Sequence, residues 1–388
     1  MKMVKALVLG LGISGKSVIP FLEKRGYEVV GFDDQISKGP LPDITTFSLF
    51  VPSPGIARSH PLYKAAGKQG IEITSEAELA LREIDQPCIG VTGTNGKSTV
   101  VKMIEHVLNH VGKKSLALGN IGTPLTSYSG GDEILVVELS SYQLETLQAR
   151  CFDVALLLNI AEDHLDRYDS FAEYAQAKIG IQQCLKEDGV FIAHEKAAKD
   201  YSLSCQTFGG PDSNESAAFA AVSHFGITRA QFAEPMESFS PLPHRLEFVG
   251  EVSGVRYYND SKASNVAATL RAIESLDAPI VLLLGGRNKG LSFAPLQKFS
   301  DRFRAVIAFG EAGEEIAQTL SSHLCTTVDD AVNLAHKLAK PGDIVLLAPG
   351  CTSFDAYKNY GKRGDHFKSL VFALPTTGSF AKLTTNEE

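Results

Sequence analysis

Residues 90–99 read GVTGTNGKST, set between the β-branched run Cys88–Thr92 and a helical pattern that opens near Lys97. A glycine-rich turn from a strand into a helix brings backbone amides and the positive end of the helix dipole to one point, which suits phosphate oxygens. Gly93, Thr94, Asn95 and Gly96 form the turn. Lys97 offers a cation to β- and γ-phosphates, and a hydroxyl at Ser98 or Thr99 can hold Mg²⁺. The strict pattern wants a glycine five residues before Gly96, where this chain has Val91, so Gly93 must make the turn. The plain alternative is a bare turn with an exposed lysine.

The same strand-then-helix order repeats outward. Apolar runs at Lys5–Leu9, Tyr27–Phe32, Ile134–Glu138, Val154–Asn159, Ile280–Leu284, Ala305–Phe309 and Ile344–Ala348 alternate with longer amphipathic stretches. Several are apolar at consecutive positions, as strands covered by helices on both faces should be. This predicts an α/β protein of doubly wound domains with parallel sheets. Breaks are expected before Pro87 and around Ser238–Pro243. Residues 200–216, rich in Ser, Gly and Asp, read as loop, and the polar tail from Thr376 as frayed.

The N-terminus begins like a signal peptide, with two lysines before an apolar run, but Gly10, Gly12, Gly15 and Lys16 break that run and no small-residue cleavage site follows. It reads better as a first strand. Gly10, Gly12 and Gly15 make G-x-G-x-x-G, and Asp33 ends the next strand. Three readings stay open here: an NAD-dependent oxidoreductase, a nucleotide-sugar pyrophosphate held in the same geometry, and a tight turn with no ligand. Ser53, Pro54 and Gly55 could add backbone donors to that crevice.

The formal charge of −8, without long Lys/Arg blocks, disfavours a nucleic-acid partner. No apolar stretch is long enough to span a bilayer, so no membrane partner is expected. Six scattered cysteines without a CxxC pair suggest reduced thiols in a cytoplasmic protein. Further polar groups gather at strand ends. Glu138 closes ILVVE and is followed by Ser140 and Gln143, and His164 sits in AEDHLD after Val154–Asn159. Glu138 and His164 could bind Mg²⁺ at the carboxyl edge of the sheet. For Asp163 and Asp166 helix capping is the expected role.

TGTNGKST, GNIG at 119–122, ELSSYQLE at 138–145, NIAEDHLDRY at 159–168 and AEYAQAKIGI at 172–181 together resemble the Mur ligases of peptidoglycan synthesis. LPHRLEF at 242–248, YNDSKASN at 258–265, LLLGGRNKG at 282–290 and APGCTSFDAYKNYGKRGDHF at 348–367 extend the likeness, which covers residues 4–372 with a gap in the middle. SSYQLE and NDSKASN point to the branch that adds D-glutamate. The resemblance implies three domains: a Rossmann-like UDP-binding domain over 1–86, a P-loop ATPase-like central domain with a parallel sheet over 87–241, and a Rossmann-like domain over 242–388 that binds D-glutamate and closes on ATP.

It also implies ATP, D-glutamate and UDP-MurNAc-L-Ala as small-molecule partners, with the chain acting as a monomer. Ser14, Asp33 and Asp34 would lie near the uridine, with no NAD, and Asn120, Ser140 and Gln143 near the muramoyl-alanine end. Lys97 would hold phosphates, Ser98 or Thr99 with Glu138 one Mg²⁺, and His164 a second. Lys178 would be carbamylated and support the second Mg²⁺; read without the resemblance, it is a surface lysine. Arg245 and Asp260 would contact ATP. Lys262, Ser264, Lys289, Ser353, Phe354 and Tyr360 would read D-glutamate, although Phe354 and Tyr360 also suit a helix-face core. One departure concerns adenine: where the family has H-N-x-x-N this chain has Gly210–Asn214, so Asn214 supplies the second asparagine and Pro211 stands at the first. The chain between Lys178 and Asn214 is short, which implies a reduced β-hairpin region. Another amide ligase of the same group, with a different amino acid, is the same-fold alternative.

Overall fold

A computed structural model describes residues 4–210 and 213–375. Each apolar run expected as a strand forms one. The first sheet holds β1 (Lys5–Leu9), β2 (Glu28–Phe32), β3 (Leu49–Pro52) and β4 (Glu72–Ile73), in the order β2-β1-β3-β4. The second holds β5 (Cys88–Thr92), β6 (Ser115–Gly119), β7 (Ile134–Glu138), β8 (Phe152–Leu157), β9 (Leu185–His194) and β10 (Gln206–Phe208), ordered β10-β9-β8-β5-β7-β6. The third holds β11 (Glu247–Val252), β12 (Val255–Asn259), β13 (Ile280–Gly285), β14 (Phe303–Phe309), β15 (His323–Leu324) and β16 (Ile344–Gly350), ordered β11-β12-β16-β13-β14-β15. Every pairing between these strands is parallel except β11 with β12.

Consecutive apolar residues serve two cores because side chains alternate between sheet faces. In β5, Ile89 and Val91 pack with Val100, Ile104 and Val107 of the helix Lys97–His110, while Cys88 faces the opposite cluster with Leu135 and Phe152. In β1, Ala6 and Val8 face one cluster, Leu7 and Leu9 another. The apolar start of the chain is therefore a core strand. Among the described residues no helix is long and apolar enough to cross a membrane.

By packing, the chain divides into two units. Met1–Ile160 with Ala172–Phe239 forms one, and Ala161–Phe171 with Ser240–Glu388 the other. Within the first unit, Glu76 Oε1 accepts from Thr126 N at 2.6 Å, and Glu78 Oε2 from Gln148 N at 2.7 Å. These bonds tie the segment after the first sheet to the second sheet's loops.

Two expectations change. Residues 200–216 are not all loop: Gln206–Phe208 adds β10 at the sheet edge, and a helix runs over Ser213–Ser223. The polar sequence misleads because an edge strand buries little; only Phe208 of β10 is buried. Between Lys178 and Asn214 the described chain makes parallel pairings only, through β9 and β10. Pro211 and the tail from Thr376 lie outside the described residues.

Candidate active site

Strand β5 lies inside the second sheet, with β7 on one side and β8 on the other, so the turn after it opens where the strand order reverses. Asn159, after β8, pins that turn. Its carbonyl accepts from Thr94 N at 2.8 Å, its Oδ1 from Asn95 N at 2.9 Å, and its Nδ2 donates to Asn95 O at 2.9 Å. Gly96 has φ +90°, and a Cβ there would meet Asn214 Oδ1 at 2.6 Å. Only glycine takes both that backbone and that approach. Asn214 thus lies against the turn. The helix Lys97–His110 starts with no side-chain cap, and the positive end of its dipole faces the turn. Lys97 Nζ folds back onto Gly93 O at 2.8 Å and Thr94 O at 3.1 Å. Ser98 is buried and Thr99 half-buried in the first turn.

Glu138 ends β7 in register with Val91 of β5. It is 2 % exposed; Oε1 accepts from Asn120 Nδ2 at 2.8 Å, while Oε2 is buried with no hydrogen-bond partner. A buried, unpartnered carboxylate oxygen is costly and suits a cation. Among the described residues no group of three or more His, Cys, Asp or Glu could hold a metal ion. That is compatible with Mg²⁺, which keeps waters and phosphate oxygens and needs few protein carboxylates.

Lys178 is not a surface residue. It is 1 % exposed, donates to Gly93 O at 2.8 Å, and lies 4.8 Å above the Tyr174 ring. Tyr174 in turn meets the Thr94 hydroxyl at 3.0 Å. An amphipathic pattern shows which face of the helix Phe171–Ile179 is apolar, but not that a lysine shares the burial.

Elsewhere in this unit, Ser53 Oγ donates to Gly10 O at 2.8 Å and joins the ends of β1 and β3; Pro54 and Gly55 continue the loop after β3, and Ser14 lies in the first turn of the helix Ile13–Glu23. Asp33 accepts from Leu11 N at 2.7 Å and Gln35 N at 3.0 Å, and those amides hold its carboxyl below the usual range. Asp34 is exposed and pairs with His60. Ser140 and Gln143 form a capping box at the start of the short helix Ser141–Leu144.

In the second unit, Asp163 and Asp166 cap no helix, since the next helix begins at Phe171. Asp163 is buried and accepts from Lys289 Nζ at 2.7 Å, Asn265 Nδ2 at 2.9 Å and His164 N at 2.9 Å. Burial would raise its carboxyl, but the charges of Lys289 and His164 and these bonds win, holding it at about 2. Lys289, expected at D-glutamate, is itself buried and committed to Asp163. Asp163→Asn would leave that ammonium buried without a counter-charge. We expect a loss of about 3–5 kcal/mol, read as a lower urea midpoint by circular dichroism; an unchanged midpoint would show that the pair adds no net stability.

His164 adopts φ +55°, uncommon for a residue with a side chain. His244 and Leu246, on either side of Arg245, are also left-handed. Burial pushes the Asp260 carboxyl up to about 6, against the Leu246 amide, Arg245 and Arg271. Lys262 Nζ lies 4.0 Å over the Tyr360 ring, and Ser264 precedes Asn265, the cap of the helix Val266–Glu274. Phe354 and Tyr360 are 62 % and 38 % exposed, so neither is a core residue. Ser353 Oγ is buried without a partner.

Residues 91–222 match the Mur ligase middle domain, and 244–351 the Mur ligase glutamate ligase domain. The UDP-N-acetylmuramoylalanine--D-glutamate ligase of Protochlamydia amoebophila is 39% identical over 435 aligned residues, covering 95% of this chain and 98% of that protein. The chain belongs to the Mur ligase family. The like-named protein of Chlamydia caviae is 35% identical to this Mur ligase, over 96% of the chain and 98% of its own length. MurF from Thermotoga maritima, solved with ADP, shares the fold at a TM-score of 0.59 and 16% identity, with 96% of each chain covered. Membership sets aside the NAD-dependent oxidoreductase reading of Gly10–Gly15. Residues that sequence reasoning gave no role in this Mur ligase are Asn159, Asn265 and Arg363, and Asp163 had been given the wrong one. An asparagine next to an acidic run was the available signal for Asn159; nothing local marks Arg363.

Proposed function

We propose that this Mur ligase joins D-glutamate to UDP-N-acetylmuramoyl-L-alanine, with conversion of ATP to ADP and phosphate, in the cytoplasmic synthesis of peptidoglycan precursors. The supporting observation is the near-full-length likeness to relatives named for that reaction, with a buried, unpartnered Glu138 oxygen in the P-loop sheet. A carboxylate is a poor acylating agent. Its oxygen therefore attacks the γ-phosphorus, ADP leaves, and an acyl phosphate forms. The amine of D-glutamate attacks the acyl carbon, loses a proton, and the tetrahedral intermediate expels phosphate. Little covalent work falls to the protein, so positioning and charge stabilisation carry the rate.

The segments divide the labour as 1–86 for the UDP moiety, 87–241 for ATP and 242–388 for D-glutamate. Ser14, Asp34 and Ser53–Gly55 are assigned to UDP, and Asp33 holds the turn after β1 through the Leu11 amide. Asn120 aims Glu138, and Ser140 and Gln143 shape the loop assigned to the muramoyl-alanine end. Lys97 and the amides of its helix orient the phosphates, and Asn214 buttresses the turn. Ser98 or Thr99 with Glu138 would hold Mg²⁺, His164 a second ion, and Lys178 would act as a carbamate. Bound magnesium would offset phosphate charge. Arg245 and Asp260 are assigned to ATP. Lys262, Ser264, Ser353, Phe354 and Tyr360 are assigned to D-glutamate, with Lys289 acting from its pair with Asp163.

Phosphate release with UDP-MurNAc-L-Ala, ATP and a panel of amino acids tests this. Release should require D-glutamate and fail with L-glutamate, because inversion moves one carboxylate away from its donors once the amine is held for attack. Equal use of both enantiomers, or turnover only with another amino acid, would favour a sister ligase.

A further inference from the structure

Arg363 is 1 % exposed, in the first turns of the helix Tyr360–Phe372. Its guanidinium makes five hydrogen bonds. Nε donates to Ser261 Oγ at 3.0 Å, Nη1 to Thr352 O at 3.1 Å and Gly285 O at 3.4 Å, and Nη2 to Ser261 O at 2.9 Å and Cys351 O at 3.1 Å. An arginine has five N–H donors, so the group is fully used. Its acceptors come from three loops, each at the carboxyl end of a parallel strand: Ser261 after β12, Gly285 at the end of β13, Cys351 and Thr352 after β16. Among the described residues it forms no ion pair, and the Asp355 carboxylate acts on it only from beyond ion-pair distance. Burial lowers its pKa to about 10, so it is charged at neutral pH.

The next residues along these loops are the ones assigned to the amino acid. Ser261 precedes Lys262 and Ser264, Gly285 leads to Lys289, and Thr352 precedes Ser353. Backbone bonds lock the loops further: Arg287 and Thr352 exchange N–H···O bonds at 3.0 Å, and Ser261 Oγ donates to Tyr360 O at 2.8 Å. Gly286, at φ +125°, has no room for a Cβ, which would stand 2.2 Å from Thr352 O and 3.0 Å from Arg363 Nη1.

We propose that Arg363 is a positioning residue for the acceptor amino acid: one buried guanidinium fixes the three loops that carry the D-glutamate donors, and lends them a positive charge suited to a dicarboxylate. This rests on the assignment of those loops to D-glutamate. The role needs a planar fork. A lysine at 363 has three donors at one point and cannot serve acceptors on three loops together.

Steady-state kinetics test it. Arg363→Lys should raise the KM for D-glutamate about tenfold or more, since small misplacements of binding groups carry such losses. The KM values for ATP and UDP-MurNAc-L-Ala should stay within about twofold. Ser261→Ala, which removes a single acceptor, should move the D-glutamate KM the same way by less. It also decides the matter if Arg363→Lys fails to fold: a raised D-glutamate KM supports the proposal and an unchanged one overturns it. A folded Arg363→Lys with an unchanged D-glutamate KM overturns it, as does a parallel rise in all three KM values, the mark of a merely structural role. Ser353→Ala separates the layers. If it raises the D-glutamate KM while Arg363→Lys does not, only the role of Arg363 fails. If Ser353→Ala leaves that KM unchanged, the assignment of the loops fails and takes this proposal with it.

Discussion

Lys97→Ala is expected to abolish turnover, with a loss on the order of 10²–10³ or more. The ammonium lies on Gly93 O and Thr94 O, at the mouth of an uncapped helix. Removing it takes away a cation beside the turn proposed to hold the phosphates and a brace on that turn. Alanine is the best helix former, so the helix Lys97–His110 should persist and the melting curve should change little. The measurement is phosphate release at saturating substrates, with circular dichroism as the folding control. Retention of more than about a tenth of wild-type activity would count against a phosphate role for this turn.

Lys178 carries the second large effect. Lys178→Ala should lose activity on the order of 10²-fold or more, and added short carboxylates should restore part of it by supplying the missing anion. Lys178→Arg keeps a permanent cation and should remain inactive with or without the additive. The side chain is 1 % exposed and lies on the Gly93 carbonyl, so a longer, always charged group also has little room. Carbamate formation joins the neutral amine to CO₂ with release of a proton, and ¹³C-bicarbonate should give a carbamate signal that Lys178→Ala lacks. An active arginine variant, or a wild-type protein with no such signal, would mean that the lysine acts as a cation or as packing.

The strands were largely legible from local pattern. Lys5–Leu9, Cys88–Thr92 and Ile134–Glu138 run as the apolar runs predicted, because burial on both faces leaves a continuous hydrophobic signal. The helix start at Lys97 was legible too, since a glycine turn followed by a helical period marks it. Edge strand β10 was not, because its sequence is polar. Asp163 was misread for a related reason: an acidic residue after a strand looks like a cap, and its partner Lys289 lies 126 residues away.

By itself, then, the sequence determined the α/β class, the glycine-rich strand-to-helix turn and the family, since each is carried by residues close together along the chain. The tertiary structure alone decided which charged groups are buried and what they meet. It left Glu138 Oε2 without a partner, buried Lys178 beneath the turn, paired Asp163 with Lys289, and closed Arg363 around carbonyls up to 102 residues away. Backbone periodicity is set by neighbours in sequence. The cost of a buried charge is set by whatever the fold brings within about 3 Å, which no local pattern encodes.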